Sequence, residues 1–130
     1  MIKSNFKEPN YSKYIGRNYD EYNCLDLVKE FYADIFKLNI KNYYEGDTPD
    51  SKQVESLIVS NKGDFIEVKG PVKLGDIVVI KLFGVECHIG VVIDSKRFLH
   101  SVKNVGSAME TFNRYSRMIS GFYRHRELTP

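Results

Sequence analysis

The stretch from Gly75 to Val102, GDIVVIKLFGVECHIGVVIDSKRFLHSV, constrains the fold most. It holds three runs rich in β-branched and aromatic residues, IVVIKLF, HIGVVI and RFLHSV, which read as strands. The turn KLGD launches the first run, and the polar turn Asp94-Ser95-Lys96 separates the last two. Connections this short join antiparallel neighbours. DFIEVKG before these runs, and SAMETF and MISGFYRHR after them, are further strand candidates. The expected sheet is an antiparallel meander of about five to six strands.

The region before Gly63 has a different period. Asn23 is a good helix N-cap, and Asp26 three residues later completes a variant of the capping box. Cys24, Leu27, Val28, Phe31 and Ile35 then form one apolar stripe, which predicts a helix from Cys24 to about Lys37. Thr48-Pro49-Asp50 opens a second predicted helix, which Gly63 closes. Residues 1–13 are polar and read as a lead-in arm. Helices followed by a meander give an α+β class, with N-terminal helices packed on the sheet. A chain of 130 residues suits a single domain spanning 1–130.

Composition excludes several functions. The net charge of +2 is too small to argue for nucleic-acid binding. Two cysteines, Cys24 and Cys87, are too few for a disulfide-stapled scaffold, although one bridge between them is open. No apolar run is long enough to span a membrane, and the polar N-terminus does not read as a secretory signal. Neither a membrane nor a nucleic-acid partner is expected, and no cofactor or metal is expected.

The residues that carry chemistry are the first cysteine and two histidines. Cys24 at a helix start feels the positive end of the helix dipole and unpaired N–H groups, both of which favour a thiolate. It is a candidate nucleophile, or else a small apolar residue filling the stripe. In HIGVVI, alternation places His88, Gly90 and Val92 on one face and Ile89, Val91 and Ile93 on the other. The second set is the apolar core face, so His88 points away from it. Gly90 marks a close approach, and the helix start carrying Cys24 is one candidate for what approaches.

The position of His100 depends on the turn. A two-residue loop would put it on the face opposite His88. A three-residue loop makes it oppose Gly90, on the same face as His88 and roughly 7–8 Å away at the backbone. His125 reads as a surface residue among arginines.

Cys24, His88 and His100 together would support acyl transfer. The thiol attacks a carbonyl, His88 takes its proton and returns it to the leaving amine, and His100 orients the His88 ring. The Cys24 backbone N–H and a tyrosine hydroxyl would steady the oxyanion. A metal site on Cys87, His88 and His100 is a weaker reading, because Cys87 and His88 are adjacent on a strand and face opposite ways.

These segments, in order, resemble the NlpC-type cysteine peptidases: YIGRNYDEYNCLDLVKEFY, LGDIVVIKLFGVECHIGVVID, RFLHSV and MISGFYRHR. These are papain-like bacterial and phage enzymes that cut peptidoglycan stem peptides. The resemblance covers residues 11 to 126 and is nearest to small phage tail-assembly or tail-tip members. It implies a papain-like core with Cys24, His88 and His100 as catalytic residues. It also implies Tyr14 as the oxyanion residue, with Tyr11 and Tyr22 as weaker matches, and Gly75-Asp76 in a structural role. The implied substrate is a peptidoglycan peptide, cut at a D-glutamyl–diamino acid bond. The implied partners are phage tail proteins, and the implied location is the virion, or the bacterial cytoplasm before release. Where the family reads Asp-Cys-Ser-Gly or Asp-Cys-Trp-Gly, this chain reads Asn23-Cys24-Leu25-Asp26. Asp26 brings a carboxylate near the thiol, and a catalytically degenerate tail component with the same fold is the alternative reading.

Overall fold

The computed structural model describes residues 10–40, 64–82 and 85–128, with backbone alone at 82 and 85–87. The second predicted helix, from Thr48, and residues 1–9 of the predicted arm lie outside the described residues. The class is mixed α/β: an antiparallel six-stranded sheet with few helices.

Helix α1 spans Cys24–Phe31 and starts on the predicted cap. The Asn23 side chain accepts from the Asp26 N–H at 2.9 Å, and the Asp26 carboxylate accepts from the Asn23 N–H at 3.1 Å. Two otherwise orphaned donors are satisfied, which fixes where the helix begins. Cys24, Leu25, Leu27, Val28 and Phe31 are all buried. Beyond Phe31 the helix loosens into a π-helical turn, Tyr32–Phe36, and ends at Lys37 in the left-handed region. At that end the Tyr32 hydroxyl donates to the Gly75 carbonyl.

The strands are β1 (Phe65–Glu67), β2 (Ile77–Leu82), β3 (Val85–Val92), β4 (Arg97–Val102), β5 (Gly106–Thr111) and β6 (Ile119–His125). A short helix, α2 (Phe112–Tyr115), joins β5 to β6. The spatial order is β1-β6-β2-β3-β4-β5. Strands β2 to β5 form the expected meander. The last strand departs from it: β6 returns to lie between β1 and β2.

Alternation divides the sheet cleanly. Ile77, Val79, Ile89, Val91 and Leu99 face α1 and pack with Leu27, Val28 and Phe31. Val78, Ile80, Val92 and Phe98 form a second apolar cluster on the opposite face, partly covered by Phe112, Tyr115, Met118 and Phe122. Both faces are therefore occupied.

The Gly75-Asp76 pair ties this arrangement together. Gly75 has φ +93, and a Cβ there would sit 2.5 Å from the Phe36 ring, so glycine is required. Its N–H donates to the Val92 carbonyl at 2.8 Å, and the Val92 N–H donates to the Asp76 carbonyl at 2.8 Å. The Asp76 side chain is fully buried. It accepts from the Lys73 N–H at 2.8 Å and from Arg124 Nε and NH2 at 2.7 and 2.8 Å. Arg124 neutralises the buried carboxylate and joins β6 to the start of β2. His125, expected at the surface, is half-buried, with its ring against Phe65 and Tyr32 at 5.1 and 6.0 Å between centroids.

The loop that leads into α1 is pinned to β4 and β5. The Gly16 N–H donates to the Ser107 carbonyl at 2.7 Å, and the Ser107 N–H donates to the Arg17 carbonyl at 3.0 Å. The Ser101 hydroxyl donates to the Tyr22 carbonyl. The Tyr22 hydroxyl bonds Glu30, and the Arg17 guanidinium lies 3.6 Å above the Tyr22 ring.

Removing the Arg124 guanidinium would leave the Asp76 carboxylate buried without its charge partner. Arg124→Ala is expected to destabilise the fold by about 3–5 kcal/mol, read as a shift in the urea unfolding midpoint at pH 7. A shift equivalent to less than about 1 kcal/mol would show that the pair is not a structural tie.

Candidate active site

Strands β3 and β4 pair as Gly90 with His100, Val91 with Leu99 and Val92 with Phe98. The Ile93 N–H donates to the Arg97 carbonyl at 2.9 Å, so three residues, Asp94 to Lys96, make the turn. Asp94 holds that turn by accepting from the Lys96 and Arg97 N–H groups, both at 2.9 Å. Of the two loop lengths considered, the three-residue one is present. His88 and His100 therefore share a face, and their rings meet: His88 Nε2 and His100 Nδ1 are 2.8 Å apart. Both side chains are buried.

Gly90 makes room for this pair in an unexpected way. A Cβ at Gly90 would sit 2.7 Å from the Leu99 carbonyl oxygen and 2.9 Å from the Phe98 ring. The close approach comes from strand β4, not from the helix that carries Cys24. The Phe98 ring packs edge-on against the His100 ring at 4.9 Å between centroids. The Tyr115 ring adds a second edge contact at 5.3 Å.

Cys24 is a free, buried thiol at the first position of α1. It belongs to the apolar layer on the helix side of the sheet, whereas His88 and His100 project from the other side. The Ile89 N–H, on the residue after His88, favours the charged form of the thiol. The pairing of β2 with β3 shifts register between Ile80 and Lys81, directly beside His88. Such bulges re-aim side chains and are common next to active sites. Among the described residues the thiol makes no hydrogen bond to either ring at rest. The structure brings His88 and His100 together and leaves Cys24 on the other side of the sheet.

The electrostatics describe a neutral resting site. Burial pushes the Cys24 thiol up to about 11; the Ile89 and Leu25 N–H groups pull it down and the Asp26 carboxylate pushes it further up, without changing the outcome. Burial lowers His88 to about 3, with a smaller contribution from a charge on His100. Burial also lowers His100, to about 4. A thiolate–imidazolium pair is therefore not the resting state, since two charges in so dry a place cost more than the neutral pair.

Tyr14 is not at this site. Its hydroxyl donates to Asp34 at 2.7 Å, ten residues beyond Cys24 along the helical segment, and its ring packs on Phe31. Of the weaker matches, Tyr22 is committed to Glu30 and Tyr11 stacks on Phe31. The oxyanion donor that the geometry leaves at the thiol is the backbone at the start of α1. Asp26 spends its carboxylate on the Asn23 N–H as a helix cap.

One residue at the site was missed from sequence. Glu110 on β5 lies with Oε2 3.8 Å from His100 Nε2, while its other oxygen meets Arg114 at 3.4 Å. Ala108 opposes His100, and Glu110 follows two residues later on the same face. Extending the alternation one strand further would have found it.

No group of three or more His, Cys, Asp or Glu among the described residues is placed to hold a metal ion. No helix among them is long and apolar enough to cross a membrane. No model of a known protein family matches the chain, and no curated protein matches it.

Two expectations follow from the neutral site. The folded-state pKa values of His88 and His100 lie below the ordinary value of 6.5. The unfolded chain therefore binds more protons as pH falls below 6.5. The stability is complete above that pH and drains away as pH drops toward 4 and then 3. Urea midpoints should be flat above pH 7 and fall steadily below 6.5, with a shallower fall in His100→Asn; an identical fall in that variant would show that other groups carry the acid sensitivity. Second, iodoacetamide should modify Cys24 much more slowly in native protein at pH 7.5 than in urea, read by peptide mapping. Equal rates would show an open, accessible thiol.

Proposed function

We propose that this chain is a papain-like, NlpC-type cysteine peptidase that hydrolyses an amide bond in a peptidoglycan stem peptide. The observation that carries the reading is the buried His88–His100 hydrogen bond, on the strand whose Ile89 N–H influences the thiol at the capped start of α1. The reading takes Cys24 as nucleophile, His88 as base and His100 as orienting group, and it requires the thiol and the His88 ring, which lie on opposite sides of β3, to come together when substrate binds.

The neutral resting state sets the order of events. Cys24 Sγ attacks the carbonyl carbon as its proton passes to Nδ1 of His88, so charge develops only when substrate is present. The carbonyl oxygen, now negative, meets the Cys24 N–H at the positive end of α1. His88 gives the proton to the departing amine nitrogen and the C–N bond breaks. Water then attacks the thioester carbon, with His88 again taking the proton, and the free acid and thiol are restored. The D-glutamyl–diamino acid bond is the substrate we assign, on the resemblance of the motifs. Delivery by a phage tail, or release on lysis, brings the protein to the wall.

A second reading rests on the same burial. A thiol and two imidazoles that stay neutral and closed also suit a structural tail component that has kept the fold without turnover.

Purified protein incubated with purified peptidoglycan should release stem-peptide fragments detectable by mass spectrometry. Cys24→Ala should reduce release to background, and His88→Ala should slow it by about 10²–10⁴-fold. Release that survives in Cys24→Ala ends the thiol mechanism, and no release from any common wall type favours the structural reading.

A further inference from the structure

The His88–His100 hydrogen bond can be made in two ways, and only one of them supports catalysis. If His100 Nδ1 carries the proton, it donates to the Nε2 lone pair of His88. The proton of neutral His88 then sits on Nδ1, and that nitrogen cannot accept a proton from the thiol. If His88 Nε2 carries the proton, it donates to the Nδ1 lone pair of His100, and His88 Nδ1 is free to accept. Geometry at the 2.8 Å contact does not distinguish these states. The group beyond His100 does.

We propose that Glu110 is the positioning residue that selects the productive tautomer of both rings. This rests on the reading of Cys24 and His88 as nucleophile and base. Its carboxylate offers lone pairs only, and Oε2 lies 3.8 Å from His100 Nε2. A proton on His100 Nε2 is attracted to that oxygen, whereas a lone pair there is repelled. His100 Nδ1 is therefore left as an acceptor, His88 Nε2 becomes the donor, and His88 Nδ1 becomes the base.

The surroundings agree with a carboxylate acting on a neutral ring. His100 meets His88 from β3, Glu110 from β5 and the Tyr115 ring from α2, with Phe98 beside it on its own strand. The one cation in that group, Arg114, is mostly exposed and bonds the far oxygen of Glu110, which holds the carboxylate in place. Burial disfavours a second proton on His100, so Glu110 orients the ring rather than charging it. A terminal acceptor that sets the tautomer of an imidazole is a recognised source of catalytic rate; the wrong tautomer in a serine protease triad costs about 10⁴-fold.

The test is ¹⁵N–¹H correlation spectroscopy of the imidazole nitrogens in histidine-labelled protein at pH 7.5, with Glu110→Leu and Glu110→Gln beside wild type. Wild type should show His100 protonated at Nε2 and His88 protonated at Nε2, each in one form. Glu110→Leu should bring in the opposite tautomer of both rings. Glu110→Gln, which can present its amide oxygen, should restore the wild-type pattern. In peptide release, Glu110→Leu should lower kcat by about tenfold or more with KM unchanged. Two results overturn the proposal: His100 protonated at Nδ1 in wild type, which needs no variant to fold, or an unchanged tautomer pattern in folded Glu110→Leu. Tautomers that shift as expected in a protein without peptidase activity would sustain the role of Glu110 and remove the peptidase reading.

Discussion

The pairing of β3 with β4 is the constraint on which the site depends. Three residues, Asp94 to Lys96, close the turn, and Asp94 locks it through two backbone N–H groups. That length sets Gly90 opposite His100 and brings two imidazoles from different strands into hydrogen-bond contact. A shift of one residue would turn every side chain of β4 over. His100 would then face the helix layer, and Leu99 would sit where two polar rings now satisfy each other. The apolar alternation of Phe98 and Leu99 opposes that slip from both faces of the sheet.

The site is built as part of the core rather than as a cleft with a charged pair in it. Cys24, His88 and His100 are each almost wholly buried. Neutral polar groups can be held there at modest cost if they are paired, whereas separated charges cannot. The same feature bears on both functional readings. For an enzyme, it defers charge separation until a substrate carbonyl is available to receive it. For a structural protein, it amounts to a polar seam that gives two apolar layers a fixed register. The network extends beyond the two rings to Glu110 and Arg114, ending at the surface.

Much of this was legible in the chain. The six strand candidates all appear, and RFLHSV coincides with β4 from Arg97 to Val102. The Asn23–Asp26 cap was visible because capping is local chemistry. What sequence could not supply was whatever depends on distant neighbours. The insertion of β6 between β1 and β2 is decided by long-range pairing and by the Arg124–Asp76 contact, across 48 residues. The resemblance of the motifs implied Tyr14, but a hydroxyl goes where an acceptor is, and Asp34 is its neighbour in space. Gly90 was read correctly as a close approach, but the neighbour that comes near is strand β4 rather than the helix start offered as a candidate. Glu110 was hidden only because the alternation was not carried one strand further.

The bonds between Gly16–Arg17 and Ser107 have a consequence for behaviour in solution. Strand β5 is the last in the sheet, and its outward N–H and C=O groups would otherwise offer a template to another chain. The leading loop occupies part of that border, and Gly106 allows it near: a Cβ there would lie 2.7 Å from the Arg17 carbonyl oxygen. The segment that delivers the thiol to its place thus also guards the sheet against self-association. Loosening it would promote clumping of the protein as well as displacing Cys24.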